Sequence, residues 1–100
     1  MTGAPPPDIA AAILDILIRR RGISLTGNRE SYSHIRREGG LWLQVDGDSI
    51  TREETETQVQ DDDILRATFW KARDRLGHYG PDDGRVSWQD VLDWLQDGGQ

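Results

Sequence analysis

The fold is decided by residues 41–52, which read LWLQVDGDSITR. Apolar side chains occupy every second position at the start of this stretch, a period that is typical of a strand with one buried face. The Asp-Gly pair at positions 46 and 47 is a strong signal for a tight turn, and the β-branched residues after it supply a return strand. The stretch therefore predicts a β-hairpin over residues 41–53, followed by a polar loop up to residue 60.

Helical periodicity appears on both sides of this hairpin. The predicted helices are 8–21, 61–76 and 87–97. Asp8 stands where the first helix needs an N-cap, and Ser87 begins a capping box for the last one. Apolar residues recur three and four positions apart within each segment. Together with the hairpin they predict a core of Ile13, Leu17, Leu43, Val45, Leu65, Phe69, Leu92 and Leu95.

Residues 28–38 fit two patterns. Tyr32 and Ile35 share one face of a helix, whereas Tyr32 and His34 alternate as they would in a strand. We favour a short helix over 28–38 and leave the strand open as the alternative. Gly39-Gly40 ends either element.

These elements predict one small α+β domain, in which the hairpin packs against three or four helices. We expect it to span residues 8–97. Residues 1–7 contain Gly3 and three prolines and are expected to form a flexible lead-in, and residues 98–100 a flexible tail.

Composition excludes several classes of function. The 100 residues carry a formal charge of −6 and no cysteine, so disulfides, thiolate catalysis and cysteine zinc sites are absent. The longest apolar stretch, residues 9–18, is too short to span a membrane, and no basic segment of a secretory signal precedes it. We therefore expect a cytoplasmic protein. Its preference for arginine over lysine favours a prokaryotic source.

Charge is unevenly distributed along the chain. Residues 18–45 hold six arginines against two glutamates, a local charge of +4, whereas residues 46–63 hold eight acids against one arginine, a local charge of −7. Such an asymmetry predicts separate electropositive and electronegative surfaces.

The acidic segment predicts a surface that binds another protein with a basic face. Trp42, which points away from the apolar side of its strand, and Trp70, which lies beside the apolar stripe of its helix, are candidate anchors because tryptophan buries a large area with few rotatable bonds. The predicted partner-binding residues are Asp46, Asp48, Glu53, Glu54, Glu56, Asp61, Asp62, Asp63, Trp42 and Trp70. The function predicted from them is a small non-catalytic regulatory protein, such as an inhibitor that occupies a basic surface. A solvated loop and a normally charged helix start are the simpler interpretation of the same acids.

The basic segment supports an alternative function, a regulator that binds nucleic acid. Its predicted phosphate-binding residues are Arg19, Arg20, Arg21, Arg36 and Arg37. A helix C-terminus also favours cations, so a purely structural role explains the first three equally well.

Two other patterns resemble chemical sites. Residues 82–90 resemble the second half of an EF-hand calcium loop, with an acid before Gly84 and Asp90 at the closing position. The opening ligand positions fall on Tyr79 and Pro81, which carry no carboxylate, so we expect no metal site. The histidine at position 34 has neither a paired nucleophile nor a set of metal ligands, so we expect no catalysis and no cofactor.

Overall fold

The computed structural model describes residues 3–77 and 86–100. It contains one helix, four strands and two further helices in chain order. The elements are α1 Pro7–Arg20, β1 Gly22–Gly27, β2 Ser31–Glu38, β3 Leu41–Asp48, β4 Glu54–Val59, α2 Asp61–Gly77 and α3 Trp88–Gln96. The predicted α+β class is confirmed.

The three helices with clear apolar stripes agree with prediction to within one residue at each end. One detail of α1 is different: its N-cap is Pro6 and not Asp8, because Pro7 already fits the first helical position. The capping box of α3 is present, with Ser87 and Asp90 bonded reciprocally. Within residues 3–77 and 86–100, no helix is long and apolar enough to cross a membrane.

The sheet is a four-stranded antiparallel meander in the order β1-β2-β3-β4. The favoured helix over 28–38 is therefore wrong, and the strand alternative holds for most of it. Ile35 lies between Ile23 and Gln44 in register, where its side chain is buried. The turn before β2 is closed by the Asn28 side chain, whose Oδ1 accepts the backbone N–H of Glu30 and of Ser31.

The predicted hairpin exists but turns later than the Asp-Gly pair. Gly47 lies inside β3 opposite Tyr32, and a Cβ at this position would lie 2.1 Å from the Tyr32 ring. Glycine is used here for close packing in a strand rather than for a turn. The return strand is β4, so the expected loop over residues 53–60 is also mostly strand.

Helices cover one face of the sheet, and the core lies between the two layers. Seven of the eight predicted core residues are buried and Leu43 is half-buried, but Val45 is buried on the sheet face away from the helices. The buried apolar residues are Ile13, Leu17, Ile23, Ile35, Trp42, Val45, Ile64, Leu65, Phe69, Ala72, Val91, Leu92 and Leu95.

The orientation predicted for β3 is reversed. Trp42 is 3% exposed and packs in the cluster that contains Ile35 and helical residues, whereas Leu41 and Leu43 lie on the other face of the strand. Its indole Nε1 donates a hydrogen bond to Asp61 Oδ1 over 3.1 Å. Trp42 is thus a core residue, and its predicted exposure is wrong.

Candidate functional site

The face of the sheet opposite the helices, called here the open face, carries mostly polar side chains. In antiparallel strands, residues paired in register share a face. Tyr32 therefore lies in one row with Glu54, and His34 lies in a row with Val45 and Glu56. Arg36 belongs to the next row and completes the polar part of this face.

Side chains of β2 and β4 meet across β3 on the open face. The Tyr32 hydroxyl donates to Glu54 Oε2 over 2.5 Å, and Arg36 Nη2 donates to Glu56 Oε1 over 2.5 Å. Both bonds bridge the strand between, and Val45 beneath this polar layer is fully buried. The open face is consequently ordered and not a set of independent solvated groups.

Ion pairing fixes Arg36 in this layer. Its guanidinium also lies 3.2 Å from Glu38, and the hydrogen bond that it donates to Glu56 is the main reason that the pKa of Arg36 lies above its ordinary value. The Nε atom is buried and has no hydrogen-bond partner. Arg36 therefore links β2 to β4 through its ion pair with Glu56. Two carboxylates, Glu38 and Glu56, already neutralise its charge.

The hydrogen bond from Tyr32 can be tested by titration. Its acceptor Glu54 is the main reason that the pKa of Tyr32 lies above 10.0. We expect Glu54→Gln to bring this pKa down toward 10.0, as measured by the ultraviolet absorbance of the phenolate. Because the folded chain keeps the phenol proton after the unfolded chain has released it, this contribution to stability is present below pH 10.0 and declines as the pH rises through the folded pKa. Glu56→Gln is the control and should leave the titration of Tyr32 nearly unchanged, whereas an equal shift in both variants would contradict the pairing.

The loop between β3 and β4 has a defined hydrogen-bond network. Asp48 Oδ1 accepts the backbone N–H of Ile50 over 2.7 Å and of Thr51 over 2.9 Å, and these bonds hold the pKa of the Asp48 carboxyl below its ordinary value. Ser49 N donates to Glu30 O over 2.8 Å, which ties this loop to the β1–β2 turn. Arg52 adopts a left-handed conformation with φ 61°. The network presents Ile50 at the loop, where it is 72% exposed.

The structure places five of the eight predicted acids in one hairpin but on two faces of the sheet, with Asp46 and Asp48 on the face opposite Glu54 and Glu56. Asp46, Asp48, Glu53, Glu54 and Glu56 belong to the β3–β4 hairpin, at or near the loop. The acidic hairpin is defined as these five residues with Ile50. Sequence reasoning missed Ile50, because an apolar residue in a polar segment is equally typical of a return strand.

The other three acids lie at the start of α2, beyond the far end of β4. Strand β4 spans roughly 17 Å from Glu54 to Val59, so these acids lie at the opposite end of the strand from the loop. Asp61 accepts the Trp42 indole N–H, and Asp63 Oδ2 accepts the backbone N–H of Gln60. Asp62 is exposed in the first turn of α2, where a negative charge complements the helix dipole. These contacts support the structural interpretation of Asp61–Asp63.

Trp70 is exposed and lies among charged side chains of α2. It is 57% exposed on α2, and the Arg73 guanidinium lies 5.0 Å from its ring centroid. Arg66, one turn earlier on α2, is also exposed. Trp70 therefore has the exposure that was predicted, but its charged neighbours at helical spacing are Arg66, Arg73 and Asp74 of α2 and not the acids of the hairpin.

Of the five predicted phosphate-binding arginines, Arg21 and Arg37 are neighbours, since the Arg37 N–H donates to the Arg21 carbonyl over 3.1 Å, whereas Arg36 lies on the open face. Arg19 pairs with Asp15 at 2.8 Å, and Arg20 donates to backbone carbonyls at the C-terminal end of α3. Arg36 and Arg37 are neighbours in a strand, so their side chains point to opposite faces, and Arg37 lies 4.7 Å from the Trp42 ring. The separation follows directly from the replacement of the predicted helix by β2. Arg21 is exposed at the C-cap of α1.

No metal centre can be built from the described part of the chain, since residues 3–77 and 86–100 contain no cluster of three potential ligands. His34 stacks on Tyr32 with ring centroids 6.1 Å apart. Residues 78–85 lie outside the described ranges, and with them most of the segment that resembles an EF-hand loop. Its described end forms the N-terminal cap of α3.

We compared the chain with protein-family models, with curated proteins and with solved structures. None of the three comparisons found a match. A function for this protein therefore has to be proposed from the residues and the geometry of the chain itself.

Proposed function

We propose that the protein is a small non-catalytic cytoplasmic binding protein that engages a basic surface of another protein through the acidic hairpin. The observation that carries this proposal is the ordered loop, which presents exposed Ile50 among carboxylates. By occupying the basic surface of the partner, the protein would inhibit it, and this inhibition is the proposed regulatory role.

Ile50 supplies an apolar anchor. Protein interfaces typically combine an apolar centre with a polar rim, and the carboxylates of the acidic hairpin provide such a rim. The hydrogen bonds that Asp48 accepts from the loop reduce the ordering cost of binding, because the loop is fixed before the partner arrives. A preorganised loop that carries an exposed apolar side chain therefore suits protein binding better than a solvated turn would.

The charge of the acidic hairpin supplies the specificity. Among the described residues, no cation forms an ion pair with Asp46 or Glu53. Carboxylates left without a cation create a local negative potential that attracts and orients a basic partner and disfavours an acidic one. Nucleic acid is disfavoured for the same reason, since phosphates would meet these carboxylates.

The test is a pull-down from a lysate of the host, with and without nuclease, followed by titration calorimetry on the recovered partner. We expect Glu53→Lys and Ile50→Ser to weaken binding by about tenfold or more. Asp62→Lys is the matched control, because it makes the same change in net charge at the other end of β4, and we expect an effect of about twofold or less.

Equal losses in Glu53→Lys and Asp62→Lys would show that only net charge matters and would contradict a site at the hairpin. Recovery of nucleic acid, or of partners that disappear on nuclease treatment, would favour the alternative regulator that uses the arginines.

A further inference from the structure

The two edges of the sheet are protected differently. The edge strand β1 contacts both α1 and α2, and Lys71 of α2 donates a hydrogen bond to the backbone carbonyl of Ser24. Its pairing with β2 also shifts register between Ser24 and Thr26, a bulge-like irregularity. A covering helix, a lysine and a bulge are devices that prevent an edge strand from pairing with another chain.

The opposite edge, β4, has none of these devices among the described residues. Glu54 to Gln58 are exposed, and only Val59 is half-buried. The register of β3 with β4 is regular over all six pairs. β4 therefore presents a straight, accessible edge.

The backbone groups that face outward can be assigned from the loop. Asp48 N donates to Glu53 O over 3.0 Å, which makes this a hydrogen-bonded pair. Hydrogen-bonded and non-hydrogen-bonded pairs alternate along an antiparallel ladder, so Glu54, Glu56 and Gln58 direct their N–H and C=O groups away from β3. These three residues form a row of backbone donors and acceptors that a fifth strand would satisfy.

The side chains of β4 select the chemistry of that strand. Glu54 and Glu56 lie on the open face, and two copies of β4 paired edge to edge would bring like charges together, which is destabilising. A second copy of this chain is thus an unfavourable partner for the β4 edge. A strand with lysine or arginine at alternate positions places its cations beside the two glutamates, whose carboxylates can accept further hydrogen bonds besides those from Tyr32 and Arg36.

We propose that β4 binds an extended basic segment of a protein partner by strand addition, with the backbone of that segment pairing with Glu54, Glu56 and Gln58. The inference rests on the proposed function, since it takes a basic protein partner as given and specifies how that partner is held. Main-chain hydrogen bonds supply the affinity in this mode, and alternate side chains supply the specificity.

The probe is a seven-residue peptide that alternates lysine and threonine, compared with an analogue that is N-methylated at every lysine, the residues that would pair with Glu54 and Glu56. The two peptides have the same charge, but the analogue lacks the N–H groups that strand addition needs. We expect the first peptide to bind at low ionic strength and to slow amide hydrogen exchange at Glu54, Glu56 and Gln58, as measured by NMR. The methylated analogue should bind more weakly by about tenfold or more.

Gln58→Pro is the matching change on the protein. Proline removes an outward N–H and no bond to β3, and edge strands tolerate it. We expect this variant to keep its thermal unfolding transition and to lose about tenfold in affinity for the peptide. Gln58→Thr is the control, because it keeps the backbone N–H and should bind like the original protein.

Three outcomes overturn strand addition. The first is equal binding of both peptides, which shows attraction by charge alone. The second is peptide binding without slower exchange in β4. The third is that neither peptide binds, although Glu53→Lys still weakens binding of the host partner. In each of these three cases the proposed function stands. If Glu53→Lys and Ile50→Ser both leave the affinity for the host partner unchanged, the proposed function is overturned instead. If Gln58→Pro fails to fold, the comparison of the two peptides decides the question without it.

Discussion

Replacing Trp42 with alanine is expected to lower the free energy of unfolding by about 3–5 kcal/mol. The Trp42 side chain is almost fully buried between β3 and the helices. Its removal leaves a large cavity, which the surrounding core can fill only in part. It also leaves Asp61 without the indole N–H and removes the ring beneath the Arg37 guanidinium. Urea unfolding followed by circular dichroism measures the loss.

Trp70→Ala is the control for this experiment. Trp70 is mostly exposed, so we expect a change of about 0.5 kcal/mol or less. The pair of variants separates a core tryptophan from a surface tryptophan in the same background. Similar losses for the two variants would contradict the orientation of β3, because that orientation alone places Trp42 in the core.

Gly22→Ala is expected to cost about 3 kcal/mol or more. Gly22 follows the left-handed C-cap Arg21 and turns the chain from α1 into β1 with φ 134°, a conformation that side chains rarely adopt. A Cβ at this position would also lie 1.9 Å from the backbone oxygen of Ile35. Strand β2 would have to move away from β1, which breaks the pairing of Gly22 with Arg36.

Gly27→Ala tests whether this loss is specific to the position. Gly27 lies at the end of the same strand, with ordinary φ, and a Cβ added there would have no atom within 4 Å. Here alanine should be neutral or stabilise the chain by roughly 0.4–1 kcal/mol, because it restricts the unfolded state. Thermal unfolding of the two variants side by side gives the comparison, and equal melting temperatures would refute the role assigned to Gly22.

The helices could be predicted from the sequence because each has an apolar stripe long enough to identify its period. Strand β2 could not, because its open face carries Tyr32, His34 and Arg36 and its inner face has Ile35 as the main apolar residue. A strand with a polar outer face and one buried aliphatic side chain satisfies helical spacing equally well. Its identity is decided by pairing with β1 and β3, which is tertiary information.

The hairpin shows a different limit. Its existence follows from local alternation, but the face that turns inward is decided by the whole sheet. Leu41, Leu43 and Val45 are the more apolar set, yet the single large ring of Trp42 fills the core. For the candidate site, the sequence could show only that the acids follow one another in the chain. Five of them belong to the β3–β4 hairpin, whereas the other three begin α2 beyond the far end of β4. The alternating Glu-Thr pattern of β4 was the available signal for a strand, since threonine favours extended backbone.

The packing of α1 against α3 has a consequence for biosynthesis. The meander pairs only strands that are neighbours in sequence, so β1 to β4 can associate as soon as they have emerged from the ribosome. The hydrogen bond from Arg20 to the Leu95 carbonyl, in contrast, joins residues 75 positions apart. During translation the apolar stripe of α1, with Ile13 and Leu17, therefore lacks its α3 cover until residues 88–96 have been added. Nascent-chain chaperones would find an exposed apolar target in this helix until α3 packs against it.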